Sequence, residues 1–187
     1  MINDWRKTID LEPVPLTEGP NLAATLKVPF TYCWSPALIP KPEDWPSHIG
    51  MSRISALRML VLTISDVCGF FFREAPNYQP SPDFERFLNS GTPPIYIGFG
   101  SIVIEDPPKV TAIILEAIRI AGVRAIISRG WSNLGGSSSR DVFYIDDCPH
   151  EWLFQRISAV IHHGGAGTTA CGLRYGLPTT IVPFFGE

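Results

Sequence analysis

The sequence predicts an α/β protein, with a parallel β-sheet carrying helices on both faces from about residue 93 onward. Three observations predict it. Apolar runs alternate with helical stripes in the order β-α-β-β-α-β-α-β, the pattern of crossover connections between parallel strands. The runs are short and bounded by glycine or proline, as buried strands are. Near the C-terminus the apolar run Ile157 to Ile161 passes into His162-His163-Gly164-Gly165-Ala166-Gly167-Thr168-Thr169-Ala170 and then Cys171 to Gly176. A strand, a glycine-rich turn and a helix start in that order are the layout of an anion site.

Taken in order, Ile2, Trp5, Ile9 and Leu11 recur at helical spacing and predict a short amphipathic helix over residues 2–10, broken by Pro13 and Pro15. Val28 to Trp34 reads as a short strand, and Ser35 to Ser47 as a proline-rich loop. Gly50 to Ser65 has no capping logic and interrupts that loop. Its residues permit the codons GGT-ATG-TCN at Gly50-Met51-Ser52, a CTAAC word at Leu62-Thr63 and TCA-GAT at Ser65-Asp66. These are splice-donor, branch-point and acceptor words, so residues 50–65 are expected to be a translated intron. Asp66 to Phe72 reads as a buried strand and Asn77 to Ser81 as a linker.

Ser81-Pro82 predicts a helix start, serine as N-cap and proline at the first helical position, with an end near Gly91. Pro94 to Ser101 is a strand running into a glycine-serine turn. Pro107 to Ile120 carries the stripe Val110, Ile113, Ile114, Ala117 and Ile118, and Gly122 stops it. Val123 to Ser128 and Val142 to Ile145 are strands, separated by Gly130-Trp131 and a flexible stretch from Gly135 to Ser139. Pro149 to Gln155 is a helical turn or two, and Thr179 to Phe184 is the fifth strand. In such sheets a ligand sits at the carboxyl ends of the strands. Gly100-Ser101, Gly130-Trp131, Cys148-Pro149-His150 and His163 to Thr169 all follow strands, so they are expected to line one crevice.

Composition bounds the function. A chain of 187 residues is one large domain or two small ones. Hydrophobic residues at 45% and charged ones at 18% describe a folding chain rather than a disordered one. A net charge of -3 and a pI near 5.8 argue against nucleic acid as a partner. Cys33, Cys68, Cys148 and Cys171 form no C-x-x-C pair, so a zinc site is not expected, and free thiols in a reducing compartment are. The polar N-terminus and the lack of a long apolar run predict a soluble, intracellular protein.

The glycine-rich stretch predicts phosphate chemistry. Glycine lets the backbone approach a ligand. The first helical N–H groups have no internal partner and, with the helix dipole, favour an anion. The ligand expected from the residues alone is phosphate-bearing, held by backbone, Thr168, Thr169 and His163, while His162 packs against or caps the strand end.

Tyr96 to Glu187 resembles the nucleotide-sugar half of the glycosyltransferase B (GT-B) fold, and the chain is similar to the UDP-glucose:sterol glucosyltransferases of the UDP-glycosyltransferase superfamily, the fungal type. The carriers are Ile97-Gly98-Phe99-Gly100-Ser101, Ser128-Arg129-Gly130-Trp131, Cys148 to Phe154, His162 to Gly172 and Pro183-Phe184-Phe185-Gly186. Pro29 to Pro36 and Asp44-Trp45-Pro46 look like the end of that family's acceptor domain. The resemblance implies three segments. Residues 1–76 would be a remnant of the acceptor domain, 77–92 a linker and lead-in helix, and 93–187 the first part of the UDP-sugar domain.

The resemblance also implies roles. His163 would contact the diphosphate, with Gly164, Gly165, Ala166, Gly167, Thr168 and Thr169 forming its cradle. Ser101 would lie near phosphate and ribose, Trp131 would wall the nucleotide, Cys148 would hold uracil through its backbone and His150 would sit beside it. Glu187 falls where the family has a sugar-binding aspartate. The reaction implied is inverting transfer of glucose from UDP-glucose to a sterol or similar lipid alcohol, with no cofactor and no metal, and with peripheral membrane association of a full-length protein. The family's general base lies early in the acceptor domain and has no counterpart in these residues. A fragment incomplete at both ends, transferring poorly, is therefore expected. The alternative is a non-catalytic nucleotide-binding fragment. A generic NAD-binding fold ranks lower, because Gly98-Phe99-Gly100-Ser101 lacks the third glycine of the dinucleotide fingerprint.

Overall fold

The computed structural model describes residues 2–13, 32, 34–40, 42–45, 69–72 and 74–184. The chain divides into two compact units, Met1–Phe70 and Phe71–Glu187.

In the first unit, α1 spans Ile2–Thr8, where helical spacing predicted it. Trp5 in it is 60% exposed, and Ile9 and Leu11 are exposed just beyond the helix. Tyr32, Trp34 and Trp45 form an aromatic cluster with ring centroids 4.5 to 6.0 Å apart. The Trp34 indole N–H donates to the Ile39 carbonyl at 3.1 Å. Of the strand expected over residues 28–34, only Tyr32 and Trp34 are described, and residues 50–65 lie wholly outside the described set. The buried strand expected at Asp66 to Phe72 is not found in its described part. Residues 69–72 have no regular structure, and Phe71 and Phe72 are 74% and 49% exposed.

The second unit carries the sheet. Its helix α2 spans Pro82–Asn89, and the Ser81 hydroxyl accepts from the Phe84 N–H, as the sequence predicted. Five parallel strands follow: β1 (Ile95–Gly98), β2 (Ala125–Ser128), β3 (Val142–Ile145), β4 (Ala159–His162) and β5 (Thr179–Ile181). They stand in the order β3-β2-β1-β4-β5. Between them run α3 (Pro107–Ala121), α4 (His150–Leu153) and α5 (Ala166–Arg174). Helix α3 stops where Gly122 turns left-handed at φ 63°, a conformation glycine adopts without penalty.

Alternation along the strands splits the core into two layers. Tyr96, Ile126, Ile145 and Val160 face a layer completed by Phe84, Phe87, Leu153, Phe154 and Cys171. Ile97, Ala125, Ile127, Val142 and Tyr144 face the other, where α3 contributes Ile114 and Ile118. Burying each large apolar side chain contributes roughly 1.5–3 kcal/mol, so consecutive apolar residues are retained on strands covered on both sides. Arg124 buckles α2 to β2. Its guanidinium donates to the carbonyls of Thr92 (2.7 Å) and Phe87 and to the Ser90 hydroxyl (2.9 Å), and it lies over the Phe87 ring.

Several expectations are corrected: α1 ends at Thr8 rather than residue 10, β2 begins at Ala125 rather than Val123, and β5 ends at Ile181 rather than Phe184. Strand β4 begins two residues later than the apolar run and ends one later, because Ile157 packs into the core ahead of the sheet while His162 pairs with Gly98. The stretch Gly135 to Ser139, expected to be flexible, is stitched to β3. Ser138 and Ser139 hydroxyls accept from the N–H groups of Tyr144 and Val142, at 3.1 and 3.3 Å, and Gly136 packs against the Tyr144 hydroxyl with no room for a side chain.

Candidate functional site

The chain leaves β1 toward β2 and β3 on one side, and β4 and β5 lie on the other, so the crossovers reverse between β1 and β4. Open parallel sheets bind ligands outside the carboxyl ends of their strands at that reversal. A cleft of about 640 Å³ opens there. Its walls include Tyr96 and Gly98 from β1, Ser128 from β2, Trp131 from the loop after β2, Cys148 and His150 after β3, and Thr168 from α5.

The loops after β1 and β2 are fastened to each other. Gly130 has φ 56°, and a Cβ there would stand 2.7 Å from the Gly100 carbonyl oxygen. That same oxygen accepts from the Trp131 N–H at 3.0 Å. Ser132 completes the tie: its hydroxyl accepts from the Ile104 N–H at 2.7 Å and donates to the Ile102 carbonyl at 2.8 Å. The result is a fixed backbone carrying an indole that is 78% exposed. Trp131 is therefore not a core aromatic. It stands at the cleft as a flat apolar surface.

The loop after β4 builds the anion end. His162 is fully buried, and its Nδ1 accepts from the Gly164 N–H at 3.1 Å. Gly164 takes φ 94°, in the left-handed region, with the Ile181 side chain close by. That turn brings the His163 imidazole between two glycines: a Cβ on Gly100 would lie 3.2 Å from its Cε1, and a Cβ on Gly165 would lie 2.6 Å from its Nε2. His163 Nδ1 is buried without a hydrogen-bond partner. Helix α5 then starts at Ala166 with Gly165 as its cap residue, and no side chain caps it. The first intrahelical bond runs from the Thr169 N–H to the Gly165 carbonyl at 3.0 Å. The N–H groups of Ala166, Gly167 and Thr168 come before it and have no acceptor within the helix. The Thr169 hydroxyl also donates to the Gly165 carbonyl, at 3.0 Å.

At the other end, the Tyr96 hydroxyl and His150 Nε2 lie 3.1 Å apart. The His150 ring stacks on Phe154 at 4.7 Å between centroids. Burial, the main cause, pushes the Tyr96 phenol up to about 12, so it stays protonated across the physiological range. Burial likewise pushes the Cys148 thiol up to about 11, so it is held protonated near neutrality. Cys148 and Cys171 are both buried, and neither is in a disulfide.

The expected crevice is thus assembled, though not by every residue expected to line it. Gly100, Trp131, Cys148, His150 and Thr168 line the cleft, and His163 packs against Gly100 beside them. Ser101 is exposed and lies outside the cleft wall, and Glu187 is outside the described residues. The Gly164 N–H and the Thr169 hydroxyl have internal partners. Side chains to which the sequence assigned no role in the site join the wall: Tyr96, Ser128, Arg129, Asn133, Asp146 and Asp147. Arg129 is held by the carbonyls of Leu134 and Gly136 at 3.2 Å each and by Asp146 at 3.4 Å. Tyr96 was hidden because it sits in an apolar strand and reads as core. The two aspartates follow directly after β3, and that position at a strand's carboxyl end was the available signal. No group of three or more His, Cys, Asp and Glu among the described residues is placed to hold a metal ion. No described helix is long and apolar enough to cross a membrane.

No family model matches the chain. Curated relatives match it throughout. A sterol 3-beta-glucosyltransferase of Arabidopsis thaliana is 44% identical over 191 residues, covering 100% of this chain and 27% of the relative. One from Yarrowia lipolytica is 39% identical over 202 residues, covering 100% of this chain and 12% of the relative. The chain therefore spans about a quarter or less of the length of these relatives. Among solved structures, the glycosyltransferase SnogD from Streptomyces nogalater superposes with a TM-score of 0.50 at 21% identity, covering 66% of this chain and 35% of that one. Along its whole length the chain is a homologue of a segment of the sterol 3-beta-glucosyltransferases, and its fold is of the GT-B glycosyltransferase type.

Proposed function

We propose that this chain carries the nucleotide-sugar site of a UDP-sugar-dependent glycosyltransferase that transfers glucose, with inversion, to a sterol or similar lipid alcohol. The observation that carries the reading is the convergence on one cleft, at the β1/β4 reversal, of an exposed indole at one wall and an uncapped helix start at the other. The α5 N–H groups and the partnerless Nδ1 of His163 suit a diphosphate. Trp131 suits the face of a base. The Cys148 backbone and His150 suit its edge.

In the reaction, the acceptor hydroxyl gives up its proton to a general base and attacks the anomeric carbon. The bond to the diphosphate oxygen breaks, and UDP leaves with the electron pair. Donors fixed in advance at the position of that developing charge lower the barrier without rearranging. Their supply is the part this chain's α5 and His163 would perform, and charge of this kind needs no metal once the helix N-terminus faces it.

Isothermal titration with UDP, UDP-glucose and NAD tests the reading. UDP and UDP-glucose should bind and NAD should not. Binding of NAD alone would overturn it. Glucosyl transfer to ergosterol, followed in the same preparation, distinguishes an active transferase segment from a segment that only binds the nucleotide.

A further inference from the structure

We infer that His162 is a positioning residue of the anion site: through Nδ1 it captures the Gly164 N–H and so sets the turn that lodges His163 between Gly100 and Gly165. This deepens the proposed function and rests on it for its affinity readout.

The geometry runs in one direction. A backbone N–H can only donate, so the 3.1 Å contact from Gly164 makes His162 Nδ1 the acceptor and leaves the ring proton on Nε2. That Nε2 is buried without a partner among the described residues, in a side chain with no exposed surface. A buried polar atom left unpaired is a cost that leucine or phenylalanine at the end of β4 would not incur. Burial, together with the neighbouring His163 and His150, holds the ring's pKa down to about 4, which keeps the acceptor nitrogen free of a proton near neutrality.

What the bond accomplishes is visible one residue on. The backbone at His162 is already fixed, because its carbonyl accepts from the Val182 N–H at 2.8 Å and the residue pairs with Gly98 and Ile181 in the sheet. From that fixed point the Gly164 N–H is drawn back toward β4, and Gly164 reaches φ 94°. His163, between the two, turns its ring toward Gly100 and Gly165. The Gly164 N–H is consequently not among the donors offered to an anion, and Ala166, Gly167 and Thr168 supply them.

The experiment combines backbone exchange with a substitution series on the full chain. In the wild-type protein, NMR should show a non-protonated His162 Nδ1 and a Gly164 amide protected from exchange, both before and after UDP is added. UDP should shift the amides of Ala166, Gly167 and Thr168. A Gly164 amide that exchanges as freely as an exposed loop amide overturns the inference. His162→Asn places an oxygen where Nδ1 stands and should keep UDP affinity within about threefold. His162→Gln carries its oxygen one methylene farther out, near the place of Nε2, and His162→Leu has no acceptor, so both should weaken it about tenfold or more. Wild-type affinity in either, or an Asn variant as weak as the Gln variant, overturns the inference. Where a substituted chain fails to fold, Gly164 exchange in the wild type decides. A wild-type chain that binds no UDP sinks the nucleotide reading instead, and the His162 tautomer and Gly164 exchange still decide this inference.

Discussion

The Nε2 of His163 lies 2.6 Å from the point where a Cβ on Gly165 would stand. The histidine and the helix cap are therefore matched in shape: the ring occupies the volume that any other residue at 165 would claim. Gly165 has φ -55°, so alanine meets no backbone strain there. Gly165→Ala should leave the fold intact, at a cost of about 1 kcal/mol or less for the cap, while pushing the imidazole out of place. Losing one hydrogen bond to a charged oxygen costs roughly 1.5–3 kcal/mol, so UDP affinity should fall about 10- to 100-fold. Calorimetry on wild type and variant checks it, and unchanged affinity would show that His163 does not touch the anion.

Much of this slot was legible in the sequence because its chemistry is local. The run from His162 to Ala170 follows an apolar strand and contains the glycines that a close backbone approach requires, so both strand and helix start could be placed. What was not legible depends on register. Whether the Gly164 N–H faces a ligand or turns back to His162 is decided by where β4 ends, and the apolar run ends one residue earlier than the strand. Tyr96 escaped notice for a similar reason. Its ring belongs to a core layer, while its hydroxyl reaches the cleft beside His150, and one-letter periodicity records only the ring. Phe71 and Phe72 mark the limit of apolar runs as strand signals: both are exposed and belong to no regular element, so an apolar run alone did not specify a strand there.

Gly130 offers a second substitution with a distinguishable outcome. A Cβ there would stand 2.7 Å from the Gly100 carbonyl oxygen, at a residue with φ 56°. Gly130→Ala should destabilise the chain by roughly 1–3 kcal/mol and loosen the loop that presents Trp131. Gly167→Ala is its control. Nothing lies within 4 Å of the added Cβ, and the position is helical, so the change should be neutral or stabilise by up to about 1 kcal/mol. Urea denaturation of both variants measures the contrast. Equal losses would mean that the tie between the two loops does not constrain the fold.

Trp131 separates binding from stability. Its side chain is 78% exposed, so Trp131→Ala removes little packing, and the unfolding midpoint should stay within the roughly 0.5 kcal/mol usual for surface changes. Stacking of an aromatic ring on a base is worth about 1–3 kcal/mol, so UDP affinity should drop about tenfold or more while inorganic diphosphate binds as before. A variant that loses both ligands equally would assign Trp131 to loop structure and not to the base.

Arg124 tests the buckle between α2 and β2. Its guanidinium satisfies the Thr92 and Phe87 carbonyls and the Ser90 hydroxyl, and covers the Phe87 ring. Arg124→Ala removes these charge-assisted bonds and the cover over Phe87, while the Phe87 carbonyl keeps the Ser90 N–H and hydroxyl as donors. A loss of about 1.5–3 kcal/mol therefore follows from the hydrogen bonds to a charged group rather than from orphaned acceptors. The cleft lies at the opposite ends of the strands, so UDP affinity should be unchanged at temperatures where the variant is folded. Lysine should restore less than half of the loss, because a point charge cannot serve three acceptors in a plane.

The acid limb of stability should depend on His162. Its pKa is pushed down to about 4 by burial first, with His163 and His150 adding to the effect, against the ordinary value of 6.5. Between those values the unfolded chain binds the proton and the folded chain does not, so stability rises with pH through that window. The contribution is fully present above about 6.5, declines as pH falls toward 4, and changes no further below it. At about 1.4 kcal/mol per unit it amounts to about 3 kcal/mol. Asparagine at 162 keeps an acceptor for the Gly164 N–H but has no proton to gain. Urea midpoints at pH 7 and pH 4.5 should therefore converge in His162→Asn relative to wild type. If both chains lose the same stability between those two values, some other group governs the acid transition and the burial of His162 is not what makes the folded chain acid-sensitive.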